Sequence, residues 1–86
     1  MKYRVLWSPF AEMRLENLLQ SELERQPLAA AAQEIDQKLI KDPKDFGESR
    51  YDTVRVGFVR PLGVEFDVMD DVRTVVVYNV WRIDQI

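Results

Sequence analysis

The 86-residue sequence contains no cysteine and no histidine. The first absence excludes disulfides and thiol chemistry. The second removes a common metal ligand and the one unperturbed side chain that titrates near neutral pH. Long hydrophobic runs are also missing: no stretch approaches the ~20 apolar residues of a membrane helix, and residues 1–7 contain no apolar segment of signal-peptide length. We therefore expect one cytoplasmic domain over residues 1–86, with no metal, no other cofactor and no membrane contact.

Positive charge is scarce. The sequence has 12 basic and 15 acidic residues, a net charge of −3. Residues 10–42 carry four basic and seven acidic side chains, and residues 50–86 carry five arginines, six acidic residues and no lysine. Proteins that bind nucleic acids usually show a basic excess. The composition therefore disfavours non-specific binding of RNA or DNA, although a local arginine cluster remains open.

The first half of the sequence predicts one strand followed by two helices. A strand over Lys2–Trp7 precedes Ser8-Pro9, a pair typical of a helix start. Apolar residues at helical spacing predict one helix from Pro9 to about Arg25 and a second from about Leu28 to Lys41. The first apolar stripe contains Ala11, Leu15, Leu18, Leu19 and Leu23, and the second contains Leu28, Ala31, Ala32, Ile35 and Leu39. Asp42-Pro43 ends the second helix, and residues 44–52 are expected to form a polar connection.

The second half predicts an antiparallel meander. Three β-branched and aromatic-rich runs, Val54–Arg60, Val64–Met69 and Thr74–Ile83, are separated by turn residues. The last run is apolar on both faces, with Val75, Val77 and Trp81 on one and Val76, Tyr78 and Val80 on the other. Such a strand belongs inside a sheet. The predicted fold class is α+β, in the order β-αα-βββ, with two helices on one face of a four-stranded, mainly antiparallel sheet.

The element order and several short motifs resemble those of a known family. The motifs are Gly47-Glu48-Ser49-Arg50, Val54-Arg55-Val56, the segment 61–68 and Asn79-Val80-Trp81-Arg82. With the β-αα-βββ order, they are similar to the RelE/ParE superfamily of toxins from type II toxin–antitoxin modules, over essentially the whole chain. The resemblance implies a toxin-like protein that inhibits growth by mRNA cleavage on the ribosome or by acting on DNA gyrase.

The resemblance also suggests site residues. Ribosome-dependent nucleases of this superfamily use basic residues on the sheet to bind mRNA and to offset charge on the scissile phosphate. The matching positions here are Arg55, Gly57, Gly63 and Arg82, so only two of them are basic. Arg55 and Arg82 are the catalytic candidates, and Arg50, Arg60, Arg73 and Tyr78 are candidates for substrate binding. The tyrosine or histidine that commonly completes the site near the C-terminus has no histidine counterpart here.

Three functions remain open from the sequence. The chain is a ribosome-dependent endoribonuclease, a ParE-like inhibitor of DNA gyrase, or a catalytically degenerate family member that acts as a protein-binding module or scaffold. The acidic balance disfavours the first, because docking into ribosomal RNA benefits from positive charge. A cognate antitoxin is the expected partner, in the third case together with the alternative of another protein, and exposed apolar surface also allows a homodimer.

A simpler interpretation of the arginines also applies. Arg50, Arg55, Arg60, Arg73 and Arg82 could pair with nearby acidic residues across a solvated sheet face. Opposite charges on neighbouring strands contribute only ~0.2–1 kcal/mol per pair. Such pairs are common in sheets, so the arginines alone do not establish a phosphate-binding site.

Overall fold

The computed structural model describes residues 2–21 and 23–83, which form five strands and three α-helices. In chain order these are β1 (Arg4–Trp7), α1 (Pro9–Leu18), α2 (Arg25–Lys41), α3 (Pro43–Phe46), β2 (Glu48–Tyr51), β3 (Val54–Val59), β4 (Leu62–Met69) and β5 (Thr74–Arg82). A single 3-10 turn, Asp70–Val72, joins β4 to β5. Within the described ranges, no helix has the length and apolar character needed to cross a membrane.

The strands form one sheet in the order β1-β5-β4-β3-β2. β1 runs parallel to β5, and the other neighbouring pairs are antiparallel. The predicted α+β class is thus confirmed, and β5 lies inside the sheet as its two apolar faces indicated. The strand count of four was too low by one. The extra strand, β2, comes from the segment that was expected to be a polar connection.

The α1 and α2 helices cover one face of the sheet and close the core. The Ser8 side chain caps α1 by accepting a hydrogen bond from the Ala11 backbone N–H at 3.1 Å. Fully buried residues of α2 pack against fully buried residues of the central strands. They are Leu28, Ile35 and Leu39 on the helix, and Leu62, Val64, Phe66, Val75, Val77 and Val80 on β4 and β5.

The boundary between the two helices differs from the prediction. The first helix ends at Leu18 and not near Arg25, because backbone turns from Gln20 to Asn17 and from Glu24 to Ser21 replace the helical pattern. Leu23, which was placed in the apolar stripe, is 95% exposed. α2 begins earlier than predicted and contains Pro27 in its first turn, where the missing N–H has no intrahelical partner to lose.

The polar connection contains α3 and β2. The Asp42 side chain accepts a hydrogen bond from the Asp45 backbone N–H at 3.3 Å, which starts a new helix immediately after α2. After Gly47 the chain turns into β2, which pairs with β3 and forms one edge of the sheet. Every residue of β2 is exposed, so its polar sequence gave no apolar strand signal.

A β-bulge in β5 changes which side chains reach the core. Val77 lies opposite Phe66 and Asn79 lies opposite Glu65, so Tyr78 is an extra residue without a partner on β4. The alternation resumes in the opposite phase after the bulge. Val80 is therefore fully buried, and Trp81 lies on the opposite face, so the predicted positions of Val80 beside Tyr78 and of Trp81 beside Val77 were both wrong.

Candidate functional site

The sheet face opposite α1 and α2 is the first candidate surface, called here the open face. Register partners on neighbouring strands share a face, so the pairing of β2–β5 identifies its members. They are Glu48, Tyr51, Val54, Val56, Phe58, Gly63, Glu65, Asp67, Met69, Thr74, Val76, Asn79 and Trp81, with Tyr78 added at the bulge. The pairing of β1 with β5 adds Arg4 and Leu6, which lie beside Thr74 and Val76. No described helix contributes to this side of the sheet, which leaves several large side chains in solvent.

Aromatic rings occupy much of the open face. Phe58, Gly63 and Trp81 form one row across three strands, and the Phe58 and Trp81 rings meet edge to face with centroids 6.4 Å apart. A Cβ on Gly63 would lie 2.7 Å from the Trp81 indole, so the indole lies across β4. Tyr51 and Tyr78 are 62% and 43% exposed. These rings can stack on flat or cationic groups.

Carboxylates occupy the middle of the open face. Glu65 and Asp67 are two residues apart on β4, and Glu48 lies in the same row as Glu65 across β3. Asp67 accepts a hydrogen bond from the Thr53 hydroxyl and lies 3.5 Å from the hydroxyl of Tyr78. Arg4 of β1 lies on this face at the level of Thr74 and Met69, whereas the rows of Glu65 and Asp67 contain no lysine or arginine among the described residues.

The electrostatics of the open face do not suit RNA cleavage. Partial burial and the neighbouring Asp67 carboxylate raise the pKa of the Tyr78 hydroxyl. Tyr78 therefore stays neutral near pH 7 and donates a hydrogen bond, instead of accepting a proton as a general base. A phosphate group brought to the middle of this face would meet Glu65 and Asp67, and like charges repel.

Arg55, a predicted catalytic residue, faces the helix side of the sheet. It lies opposite Phe66, whose ring is in the core. Its guanidinium donates to the carbonyl oxygen of Gly47 from Nε at 3.2 Å and from Nη2 at 2.9 Å. Nη2 also donates to the carbonyl oxygen of Lys44 at 2.9 Å. Arg55 therefore fastens the segment between α3 and β2 onto β3.

Arg82 and Arg73 also make contacts within the fold. Arg82 lies opposite the core residue Leu62 and forms an ion pair with Glu24, just before α2. The Arg73 guanidinium lies over the Tyr3 ring at 4.4 Å, and its Nη1 donates to the Tyr3 hydroxyl at 3.3 Å. Both arginines connect the ends of β5 to distant parts of the chain.

A charged cluster surrounds Arg73 at one end of the molecule. Asp70 accepts hydrogen bonds from Lys44 Nζ at 2.6 Å and from the Tyr3 hydroxyl at 2.5 Å. These bonds, the one from Lys44 first, lower the pKa of Asp70. The Asp70 carboxylate in turn raises the pKa of Lys44 and of Tyr3. The cluster joins the residue before β1, the helix α3 and the turn before β5, which is a structural role.

The residues predicted to bind substrate do not form one site. Arg50 is an exposed residue at the irregularity in β2, Arg60 is exposed in the turn after β3, and Tyr78 is on the open face. Arg55, Arg73 and Arg82 make their contacts at separate places. The assignment of catalytic and substrate-binding roles to these residues stays a prediction, without a shared geometry to support it.

The open-face acids, and the rings other than Tyr78, were missed from the sequence. Glu65, Asp67 and Met69 alternate with buried residues along β4, and this alternation was the available signal for an outward face. The contribution of Trp81 and Phe58 could not be read in this way. It depends on which residues of β3 and β5 lie opposite Gly63.

A groove of about 490 Å³ is the second candidate surface. It lies between α1, α2 and the edge strand β1, and it is lined by Val5, Leu6, Trp7, Glu12, Leu15, Glu16, Leu19, Ala32 and Asp36. The Trp7 indole N–H donates to Asp36 at 2.8 Å and fixes one wall. The floor is apolar and the rim is acidic, so the groove suits an amphipathic segment of another chain.

Comparison with known proteins identifies the fold. No protein-family model and no curated protein matches the sequence. Solved structures do match, including chains of the RelBE2 toxin–antitoxin complex of Mycobacterium tuberculosis (TM-score 0.80, 19% identity, 95% of this chain and 99% of that chain). The intact RelBE complex of Escherichia coli follows (0.67, 16%, 96% and 99%), as does the ParDE system of Pseudomonas aeruginosa (0.65, 15%, 95% and 97%). The RelE/ParE fold expected from the sequence is thereby confirmed for this chain.

Proposed function

We propose that this chain is the toxin-like component of a type II toxin–antitoxin module and that it acts by binding a protein without cleaving RNA. The fold supports the first part, because the similar structures are toxin–antitoxin complexes. One observation carries the second part. The two catalytic candidates, Arg55 and Arg82, make contacts within the fold, while the open face presents Glu65 and Asp67.

The cognate antitoxin would occupy the groove between α1, α2 and β1. Its apolar floor matches one stripe of an amphipathic helix, and edge strand β1 offers backbone groups to an extended segment. Leu15 and Leu19 line this groove and are half-buried, so a partner would bury apolar surface that the isolated chain leaves in water. The proposal includes a cytoplasmic location, because a target such as DNA gyrase is cytoplasmic.

The second candidate function is a non-toxic protein-binding module of the same fold. The acidic open face favours it, because carboxylates that repel the phosphates of a nucleic acid are compatible with a protein partner. The two functions differ in one property that is easily measured, since only a toxin arrests growth when it is produced without its antitoxin.

Induced expression in a bacterial host tests the proposal. We expect growth arrest, and relief of the arrest when the adjacent small open reading frame of the native genome is co-expressed. Leu19→Glu is expected to keep the arrest and lose the relief, because the charge enters the groove. Leu23→Glu is the matched control, since it puts the same charge on a leucine outside the groove.

The outcomes separate the candidates. Folded, soluble protein that leaves growth unchanged would contradict the toxin role and favour the binding module. Relief that persists in Leu19→Glu and in wild type alike would contradict the groove as the antitoxin site. Both variants need circular dichroism spectra that match the wild type.

A further inference from the structure

We propose that the open face binds a basic segment of a partner protein, with arginine or lysine side chains set against Glu65 and Asp67 and stacked on the neighbouring rings. The inference deepens the proposed function by naming the chemistry of the protein that this face recognises. Only the biological role of this binding depends on the proposed function. The binding surface does not, because the sheet alone defines its residues.

The carboxylates have a spacing that selects the ligand. Glu65 and Asp67 point to the same side of β4 from positions two apart, so they lie roughly 6–7 Å apart along the strand. An extended peptide with basic residues at alternate positions has the same repeat. Glu48 extends the acidic surface across β3 toward the β2 edge. Ion pairs with half-buried carboxylates are less screened by salt than those with fully exposed ones.

The aromatic rings add a second contact for the same ligand. Tyr78 is the extra residue of the bulge and lies beside Asp67, and Phe58 and Trp81 lie at the other end of the face. A guanidinium that pairs with a carboxylate here can also lie over a ring, as Arg73 does on Tyr3 elsewhere in this fold. Glu65 and Asp67 form no ion pair within the described residues, and exposed rings beside such carboxylates favour arginine over an apolar partner.

The charges of the open face disfavour two other occupants. A second copy of the chain docked symmetrically would place the same patch on both subunits, so Glu65 and Asp67 would approach their own copies. RNA would bring phosphates toward the same carboxylates. A basic protein segment is the occupant whose charge complements the face.

Two-dimensional NMR with a defined peptide tests the proposal. The probe is Arg-Gly-Arg-Gly-Arg, which has no apolar side chain for the floor of the groove, so binding there would depend on the acidic rim and would shift the Trp7 indole. The sequence has two tryptophans, and they report on different surfaces: the Trp81 indole lies on the open face and the Trp7 indole lies in the groove. We expect saturable shifts of the Trp81 indole and of the β4 amides, with the Trp7 indole unchanged.

Charge-neutral variants supply the control. Glu65→Gln with Asp67→Asn is expected to weaken peptide binding about three- to ten-fold, as for the loss of two partly exposed ion pairs. Glu34→Gln with Asp45→Asn removes the same net charge from exposed positions on α2 and α3 and is expected to leave the affinity within two-fold. Glu65→Gln alone keeps the hydrogen bond between Thr53 and Asp67, so it tests the face if the double variant unfolds.

Several results would overturn the proposal. These are equal weakening by both double variants, shifts confined to Trp7, tighter binding of an RNA oligonucleotide than of the peptide, or self-association that Glu65→Gln with Asp67→Asn abolishes. Failure of the proposed function would look different. A chain that does not arrest growth but binds the peptide through Glu65 and Asp67 retains this inference and loses only the toxin role.

Discussion

Replacement of Arg55 by alanine separates a structural role from a catalytic one. If the side chain holds the segment between α3 and β2, then its loss lowers stability whatever the protein binds. The structure gives three hydrogen bonds from the half-buried guanidinium to the carbonyl oxygens of Lys44 and Gly47, at 2.9–3.2 Å. Hydrogen bonds to charged groups contribute ~1.5–3 kcal/mol each in favourable cases, but shared acceptors and partial exposure reduce the sum.

The expected loss for Arg55→Ala is therefore about 2–3 kcal/mol in the free energy of unfolding. That is a large share of the total, because a domain of this length is stable by roughly 4–13 kcal/mol. Arg55→Lys is expected to recover little, since an ammonium group lacks the planar fork that reaches two carbonyl oxygens. Arg50→Ala, at an exposed position of β2, is the matched control and is expected within about 0.5 kcal/mol of wild type.

Urea denaturation followed by circular dichroism measures these differences, with the slope of the transition as a check on two-state unfolding. Growth assays should be compared with the measured stability of each variant, because Arg55→Ala would weaken any activity through unfolding alone. An Arg55→Ala protein with wild-type stability and no growth arrest would refute the structural role. It would restore Arg55 as a candidate for direct function.

Three further predictions concern the core and the charged cluster. Gly57→Ala is expected to destabilise the fold by about 1–3 kcal/mol in urea denaturation, because the new Cβ would lie 2.4 Å from the Phe46 ring. Leu28→Ala should cost about 2–5 kcal/mol, whereas Leu23→Ala should change stability by less than about 0.5 kcal/mol, since these leucines are 0% and 95% exposed. Because hydrogen bonds from a lysine and a tyrosine lower the pKa of Asp70 below its ordinary value of 3.8, its stabilising contribution is present above that pH and lost as the pH falls through the lower value. Thermal melts from pH 6 to pH 2 should show a shallower acid limb for Asp70→Asn, and an unchanged limb would contradict this linkage.

The sequence predicted the elements with strong local signals. Ser8 and Pro9 start α1 as expected, and the apolar residues of α2 from Leu28 to Leu39 face the core. Alternation and turn residues predicted the meander, and the apolar character of β5 predicted its interior position. These features depend on contacts within one element or on the burial of one whole strand.

The errors arose where tertiary contacts decide the conformation. The polar strand β2 is held by pairing with β3 and by Arg55, neither of which appears in its own sequence. The bulge at Tyr78 reverses the alternation and moves Val80 into the core, and a single extra residue leaves no mark in the pattern. The catalytic and substrate-binding roles of the arginines stay predictions. Family positions can be matched along the chain, but Arg55 lies on the helix side of the sheet, away from the open face.

The central claim is that this protein binds its target without cutting RNA, and a translation assay tests it most directly. Purified protein would be added to ribosomes translating a defined mRNA, and primer extension would map the 5′ ends of the fragments. The account predicts no ends beyond those of the reaction without protein, for the wild type and for Arg50→Ala with Arg60→Ala. Protein-dependent cleavage at codons on the ribosome, abolished in that double variant, would contradict it.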